Sequence, residues 1–341
     1  MKMRKLYIYR VLGVMCFMFL LLSFCFGVIS DGPGEPDIDD TVEEYTKEFT
    51  IQLDEVPDEY RDTAEEAGTL TEFWYDTRDY NGDGEEMEKF AIVYTPFGFQ
   101  ETENYNVLYL MHGYGGAATT WLGSPGDETE IKHCIDHMIE DGLMEPLIIV
   151  SCTYYDNNED ENTDNYDVYL TEAFSEELKR DIIPSVEAEY PIYADRNHRI
   201  FGGFSMGGVT TWYQFLQSMS YFRYYMPLSG SLLWGPDAAL YDGGAEWTLD
   251  VLKEGLKAQG YTASDFFIYM ASGEYDYGRP LLEDQITAME EDPETFSFGN
   301  PSDEGVNCAY GYGSGEDHNA EGRLRYAYNL IPVLSGMMNH E

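Results

Sequence analysis

The stretch Arg199-Ile200-Phe201-Gly202-Gly203-Phe204-Ser205-Met206-Gly207-Gly208 constrains this chain more than any other. Arg199 to Gly203 is rich enough in apolar and small residues for a buried strand. Met206, Val209, Tyr213 and Leu216 then recur at helical spacing. Between the two patterns sits Ser205, flanked as Gly203-x-Ser205-x-Gly207, the spacing of a nucleophile elbow. Gly203 and Gly207 lack the Cβ atoms that would collide where the strand doubles back into the helix, so the hydroxyl stands clear of the sheet.

An elbow of this kind needs a parallel sheet around it, and the flanking sequence predicts one. Val107 to Met111 reads as a strand, Glu128 to Asp141 as a helix and Pro146 to Cys152 as another strand. Phe174, Leu178, Ile182 and Val186 mark a helix before the elbow. After it come strands over Tyr225 to Ser229, Phe266 to Ala271 and Val306 to Tyr310, then a helix carrying Leu324, Tyr328, Ile331 and Leu334. Strands alternating with helices imply a mostly parallel central sheet with helices on both faces, and the serine elbow within it points to the α/β-hydrolase fold. One domain over residues 61–341 accommodates all of it.

The chain ahead of that domain divides in two. Lys2, Arg4, Lys5 and Arg10 precede Val11 to Ile29, a run without a charged residue. Residues 1–30 therefore read as an export signal, or as an uncleaved membrane tether that leaves the remainder outside the cell. Residues 31–60, acidic at first and punctuated by Pro33, Pro36 and Pro57, read as a linker followed by a lead-in strand. Farther on, Asp79-Tyr80-Asn81-Gly82-Asp83-Gly84 imitates the first half of a calcium loop. The twelfth position of such a loop needs a bidentate glutamate and here is Phe90, so a hairpin turn is expected, with Phe90 to Tyr94 as its returning strand.

Charge excludes one class of partner. Sixty-four acidic against 19 basic residues give a formal charge of −45, which repels nucleic-acid phosphates and anionic membrane surfaces. Of five cysteines, Cys16 and Cys25 lie in the leader. Cys134, Cys152 and Cys308 have no metal-site spacing and are expected as buried thiols.

A serine that attacks needs a base to take its proton and a third group to orient that base. In this fold the partners follow in the order Ser, Asp or Glu, His. His112, His133, His137 and His198 precede Ser205, and His340 is next to the last residue. That leaves His318, in the glycine-rich run Gly311 to His318. The acid falls at the end of the Phe266 strand, where Asp276 is the first choice and Glu274 the reserve. Charge developing on the carbonyl oxygen must meet preorganised N–H groups. The amide of Met206 supplies one, and the amide of Tyr114, in His112-Gly113-Tyr114-Gly115-Gly116, the other.

With these residues assembled, the chain resembles the carbohydrate esterases that include feruloyl and acetylxylan esterases, relatives of esterase D. The resemblance rests on Val107 to Gly116, Trp121, Pro146 to Val150, Arg196, His198-Arg199, Gly203 to Gly208, Ser272 to Asp276 and Tyr328 to Pro332. It implies a Ser205, Asp276, His318 triad, oxyanion donors at Tyr114 and Met206, no metal or cofactor, and ester hydrolysis through an acyl-serine intermediate. Two departures stand out. Similar enzymes carry an aromatic soon after the histidine, where this chain has Asn319-Ala320-Glu321-Gly322, and an acidic loop, Asp156 to Asp167, borders the expected site.

Aromatics at Trp121, Tyr154, Tyr155, Trp234 and Tyr312 fall on connections at the expected carboxyl edge of the sheet. Aromatic faces stack on sugar rings and aryl acyl groups, so Trp121, Tyr154, Trp234 and Tyr312 are candidate substrate contacts. The expectation is a secreted serine esterase acting on feruloyl or acetyl esters of xylan. The alternatives are an acyltransferase on the same fold and a non-catalytic glycan-binding protein.

Overall fold

Val107, Tyr109 and Met111 face one hydrophobic core while Leu108 and Leu110 face another. A strand with both faces covered must be apolar throughout, because its side chains alternate between the two sides. The computed structural model describes residues 47–80, 82–155, 169–234 and 244–338. The expected export segment, most of the acidic linker and the acidic loop Asp156 to Asp167 lie outside the described residues.

The strands are β1 (Thr50–Gln52), β2 (Thr69–Arg78), β3 (Glu86–Thr95), β4 (Asn106–Met111), β5 (Gly123–Ser124), β6 (Asp127–Glu128), β7 (Leu147–Cys152), β8 (Arg199–Phe204), β9 (Tyr224–Leu228), β10 (Phe267–Gly273) and β11 (Cys308–Gly313). Nine of them form one sheet in the order β1-β11-β10-β9-β8-β4-β7-β3-β2, with β5 and β6 a separate small hairpin. From β1 to β7 in that order every pairing is parallel. Within this sheet only β3 with β7 and β2 with β3 run antiparallel. The Asp79 to Gly84 run joins β2 to β3, with the Asp83 amide donating to Asp79 Oδ2 at 3.2 Å.

The helices are α1 (Glu130–Glu140), α2 (Tyr169–Glu177), α3 (Ile183–Glu189), α4 (Met206–Gln217), α5 (Gly244–Gln259), α6 (Arg279–Met289) and α7 (Ala320–Met338). A single π turn, Leu178–Ile182, links α2 to α3. α1 and α7 cover one face of the sheet and α2 to α6 the other. α1 starts two residues later than the sequence suggests, because the Thr129 hydroxyl caps it by accepting from the Lys132 amide at 3.4 Å. The lead-in segment belongs to the body of the domain: β1 pairs with β11, and Leu53, Val56 and Tyr60 are buried.

β10 and β11 run past their expected ends, into residues whose glycines read as loop. Gly273 shows why. A Cβ there would lie 2.4 Å from the carbonyl oxygen of Glu316, so glycine lets the segment after β11 lie directly against the end of β10. β4, β8, β10 and β11 thus end at one edge, which gathers the four stretches expected to carry chemistry.

Candidate active site

Ser205 terminates β8 and begins α4 with φ 59° and ψ −118°, a conformation unfavourable for any residue with a side chain. The surrounding structure imposes it. The Ser205 amide donates to Leu228 O at 2.9 Å, and its carbonyl accepts from Val209 N at 3.1 Å. A Cβ on Gly203 would lie 2.4 Å from Gly207 O, and one on Gly207 would lie 2.2 Å from Met111 O. Both glycines of the motif are therefore needed for the turn to fit beneath β4. Met206 is the first residue of α4, where an amide has no intrahelical acceptor and the helix dipole favours negative charge.

His318 Nδ1 lies 2.8 Å from Asp276 Oδ1, and the Asp276 side chain is fully buried. The same oxygen accepts from Gly278 N at 2.7 Å, which fixes the carboxylate independently of the histidine. The imidazole packs against Phe204, the residue before Ser205, with ring centroids 4.5 Å apart, and against Tyr277 at 4.1 Å. These contacts hold it beside the elbow. Its other nitrogen, Nε2, is the one left to serve a serine proton.

Glu274, the reserve acid, has a different partner. Its Oε2 accepts from Gly315 N at 2.8 Å and from the Ser314 hydroxyl at 3.3 Å. The Gly315 amide above all holds its carboxyl below the usual range. Glu274 thereby braces the His318 loop from the solvent side. Arg325 braces it from inside, donating to Ser314 O at 2.8 Å and to Glu316 Oε1 at 3.0 Å. Neither Arg325 nor Glu316 carries a sequence signal for this role.

The loop after β4 crosses over the serine: a Cβ on Gly113 would come within 3.1 Å of Ser205 Cβ and 3.7 Å of its Oγ. Tyr114 follows at once, its side chain 46% exposed. His112 is fully buried, and burial pushes its pKa down to about 4, so the ring is neutral. Among the described residues, no group of three or more His, Cys, Asp or Glu side chains is arranged to hold a metal ion.

Three of the four candidate substrate contacts are turned inward. Trp121 is fully buried and its Nε1 donates to Met111 O at 2.9 Å. Tyr154 is buried with its hydroxyl donating to His112 O at 3.3 Å. Tyr312 is buried and accepts from Arg279 Nη1 at 3.2 Å. Burying a large apolar side chain gains roughly 1.5–3 kcal/mol over leaving it in water, which favours the core for a ring that can reach it. Trp234 alone of the four stays at the rim, 6.2 Å from His318 and 5.8 Å from Tyr277. Two solvent-facing rings on the turn that carries Asp276 escaped the sequence reading, Tyr275 at 62% and Tyr277 at 63% exposure. Their signal is positional: they flank Asp276, and when that carboxylate turns inward both neighbours turn out.

The Esterase family model matches residues 85–298 of this chain. Endo-1,4-beta-xylanase Y of Acetivibrio thermocellus is 30% identical over 268 residues, covering 74% of this chain and 22% of that protein. An endo-1,4-beta-xylanase/feruloyl esterase of Xylanibacter ruminicola is 32% identical over 147 residues, 41% of this chain and 19% of that one. The chain thus spans about a fifth of the length of these curated relatives. Among solved structures, the feruloyl esterase module of Clostridium thermocellum, a variant in complex with sinapinate, superposes with a TM-score of 0.72. It is 28% identical, and the match covers 87% of this chain and 98% of that one. The chain belongs to the Esterase family of carboxylic-ester hydrolases, on the α/β-hydrolase fold it shares with feruloyl esterases.

Proposed function

We propose that this chain is an exported serine esterase that removes feruloyl or acetyl groups from xylan through an acyl-serine intermediate. One observation carries the reading: a buried carboxylate on His318 Nδ1, with the imidazole packed against Phe204, the neighbour of a serine held at φ 59°. In this mechanism Ser205 attacks the ester carbonyl while His318 Nε2 takes its proton. Asp276 orients the imidazole and stabilises its charged form. The amides of Met206 and Tyr114 receive the oxyanion. His318 then returns the proton to the departing sugar oxygen, and water repeats the sequence to free the acid.

Similarity to a xylanase and to a xylanase/feruloyl esterase supports xylan as the polymer. The sinapinate bound to the Clostridium thermocellum module supports an aryl acyl group. The exposed face of Tyr277, backed by Trp234, suits the same class of group. Export rests on the charged and apolar pattern of residues 1–30.

Incubating the purified protein with feruloylated and with acetylated xylan, and measuring the acid released from each, tests the substrate. The expected result is ferulate release faster than acetate release. Release of neither, with turnover of a small aryl ester retained, would move the substrate away from xylan.

A further inference from the structure

Behind the loop after β4 lies a chain of buried polar groups that ester chemistry does not itself require. Lys89, on β3, is fully buried and donates to Glu177 at 2.9 Å and to Thr153 O at 3.0 Å. The Tyr75 hydroxyl donates to the same glutamate at 2.8 Å. A buried ion pair is weak evidence for stability, since removing charges from water costs several kcal/mol per ion. What this pair does is pin residue 153, just past the end of β7.

From there three consecutive residues reach the loop that crosses Ser205. The Thr153 hydroxyl lies 2.8 Å from His112 Nε2. The Tyr154 hydroxyl donates to His112 O at 3.3 Å, and the Tyr155 hydroxyl accepts from Gly115 N at 3.1 Å. Proton accounting fixes the direction of the first contact. Gly113 O lies 2.7 Å from His112 Nδ1 and, as a carbonyl oxygen, can only accept, so Nδ1 carries the one hydrogen of the neutral ring. Nε2 is therefore bare and accepts from the Thr153 hydroxyl, whose oxygen in turn accepts from Tyr155 N at 3.2 Å. Gly116 N also donates to the Gly113 carbonyl, at 3.2 Å. In a trans peptide the C=O and the following N–H point in opposite directions. Holding Gly113 O towards His112 therefore sets the direction of the Tyr114 N–H.

We infer that Thr153, backed by Tyr155 and the Lys89–Glu177 pair, is a positioning residue that fixes the His112 tautomer and so aims the Tyr114 amide at the ester's carbonyl oxygen. This rests on the serine-esterase reading above. A donor displaced by a fraction of its hydrogen-bond length loses much of its effect on the transition state, while ground-state binding is little changed.

The test compares Thr153→Val, which removes the hydroxyl at nearly constant shape, with Thr153→Ser, which keeps it, using 4-nitrophenyl acetate. Thr153→Val is expected to lower kcat about tenfold or more with KM within about twofold. Thr153→Ser should recover most of the loss. Tyr155→Phe, which leaves Gly115 N without its acceptor, should lower kcat in the same way, and it keeps the test decisive if the valine variant does not fold. Thr153→Val at the unmodified kcat, a serine variant as impaired as the valine one, or Tyr155→Phe at full kcat would each overturn the inference. An unmodified protein inactive on the ester would overturn the esterase reading and this inference with it.

Discussion

Replacing Ser205 by alanine is expected to lower kcat for an aryl ester by on the order of a millionfold, with no change in the unfolding midpoint. The loss follows from removing the only group the mechanism acylates. The midpoint holds because alanine keeps the Cβ, and with it the unfavourable backbone at φ 59°. Ser205→Gly separates the two effects. It is equally inactive, but glycine tolerates that conformation, and a non-glycine residue held there costs on the order of 1–3 kcal/mol. After the greater freedom of glycine in the unfolded chain is allowed for, the glycine variant should be more stable than the alanine variant by about 1 kcal/mol. Urea unfolding checks this as a higher midpoint at unchanged slope. Glycine and alanine variants of equal midpoint would mean that the elbow stores no strain.

Asp276→Asn should lower kcat about 10,000-fold, and Glu274→Gln by less than about tenfold. The two carboxylates stand two positions apart, yet their surroundings differ completely. Asp276 is buried and accepts from both Gly278 N and His318 Nδ1. Asparagine can still present one oxygen to both Gly278 N and His318 Nδ1, but it is neutral, so the charge that forms on the imidazole when it takes the serine proton is no longer stabilised. Glu274 is at the surface and supports the loop through Gly315 and Ser314. Steady-state kinetics of the two variants decides the assignment, and comparable losses in both would count against it.

The sequence made the elbow legible because its steric demands are local: two glycines, a serine and two periodicities within about one strand and one helix. His318 was legible by elimination among six histidines, and chain order alone removed four of them. Asp276 could not be separated from Glu274, because both sit on one turn and only the fold decides which faces inward. The same limit explains Trp121, Tyr154 and Tyr312. Trp121 and Tyr154 do lie on connections, whereas Tyr312 falls within β11, and the direction of each ring depended on whether Met111, His112 or Arg279 waited to receive it. The ends of β10 and β11 were hidden for another reason: glycine disfavours strands in isolation, and its value at Gly273 comes from Glu316, a neighbour distant in sequence. The chain from Lys89 through Thr153 to His112 joins three strands' worth of separate sequence. No periodicity announces it.

The measurement that bears most directly on the account is rapid quenching of the protein during turnover of an aryl ferulate, followed by peptide mass spectrometry. The account predicts a feruloyl group on the Ser205 peptide, lost on further incubation and absent from Ser205→Ala. Turnover with Ser205 never acylated, or an acyl group found on another residue, would contradict it.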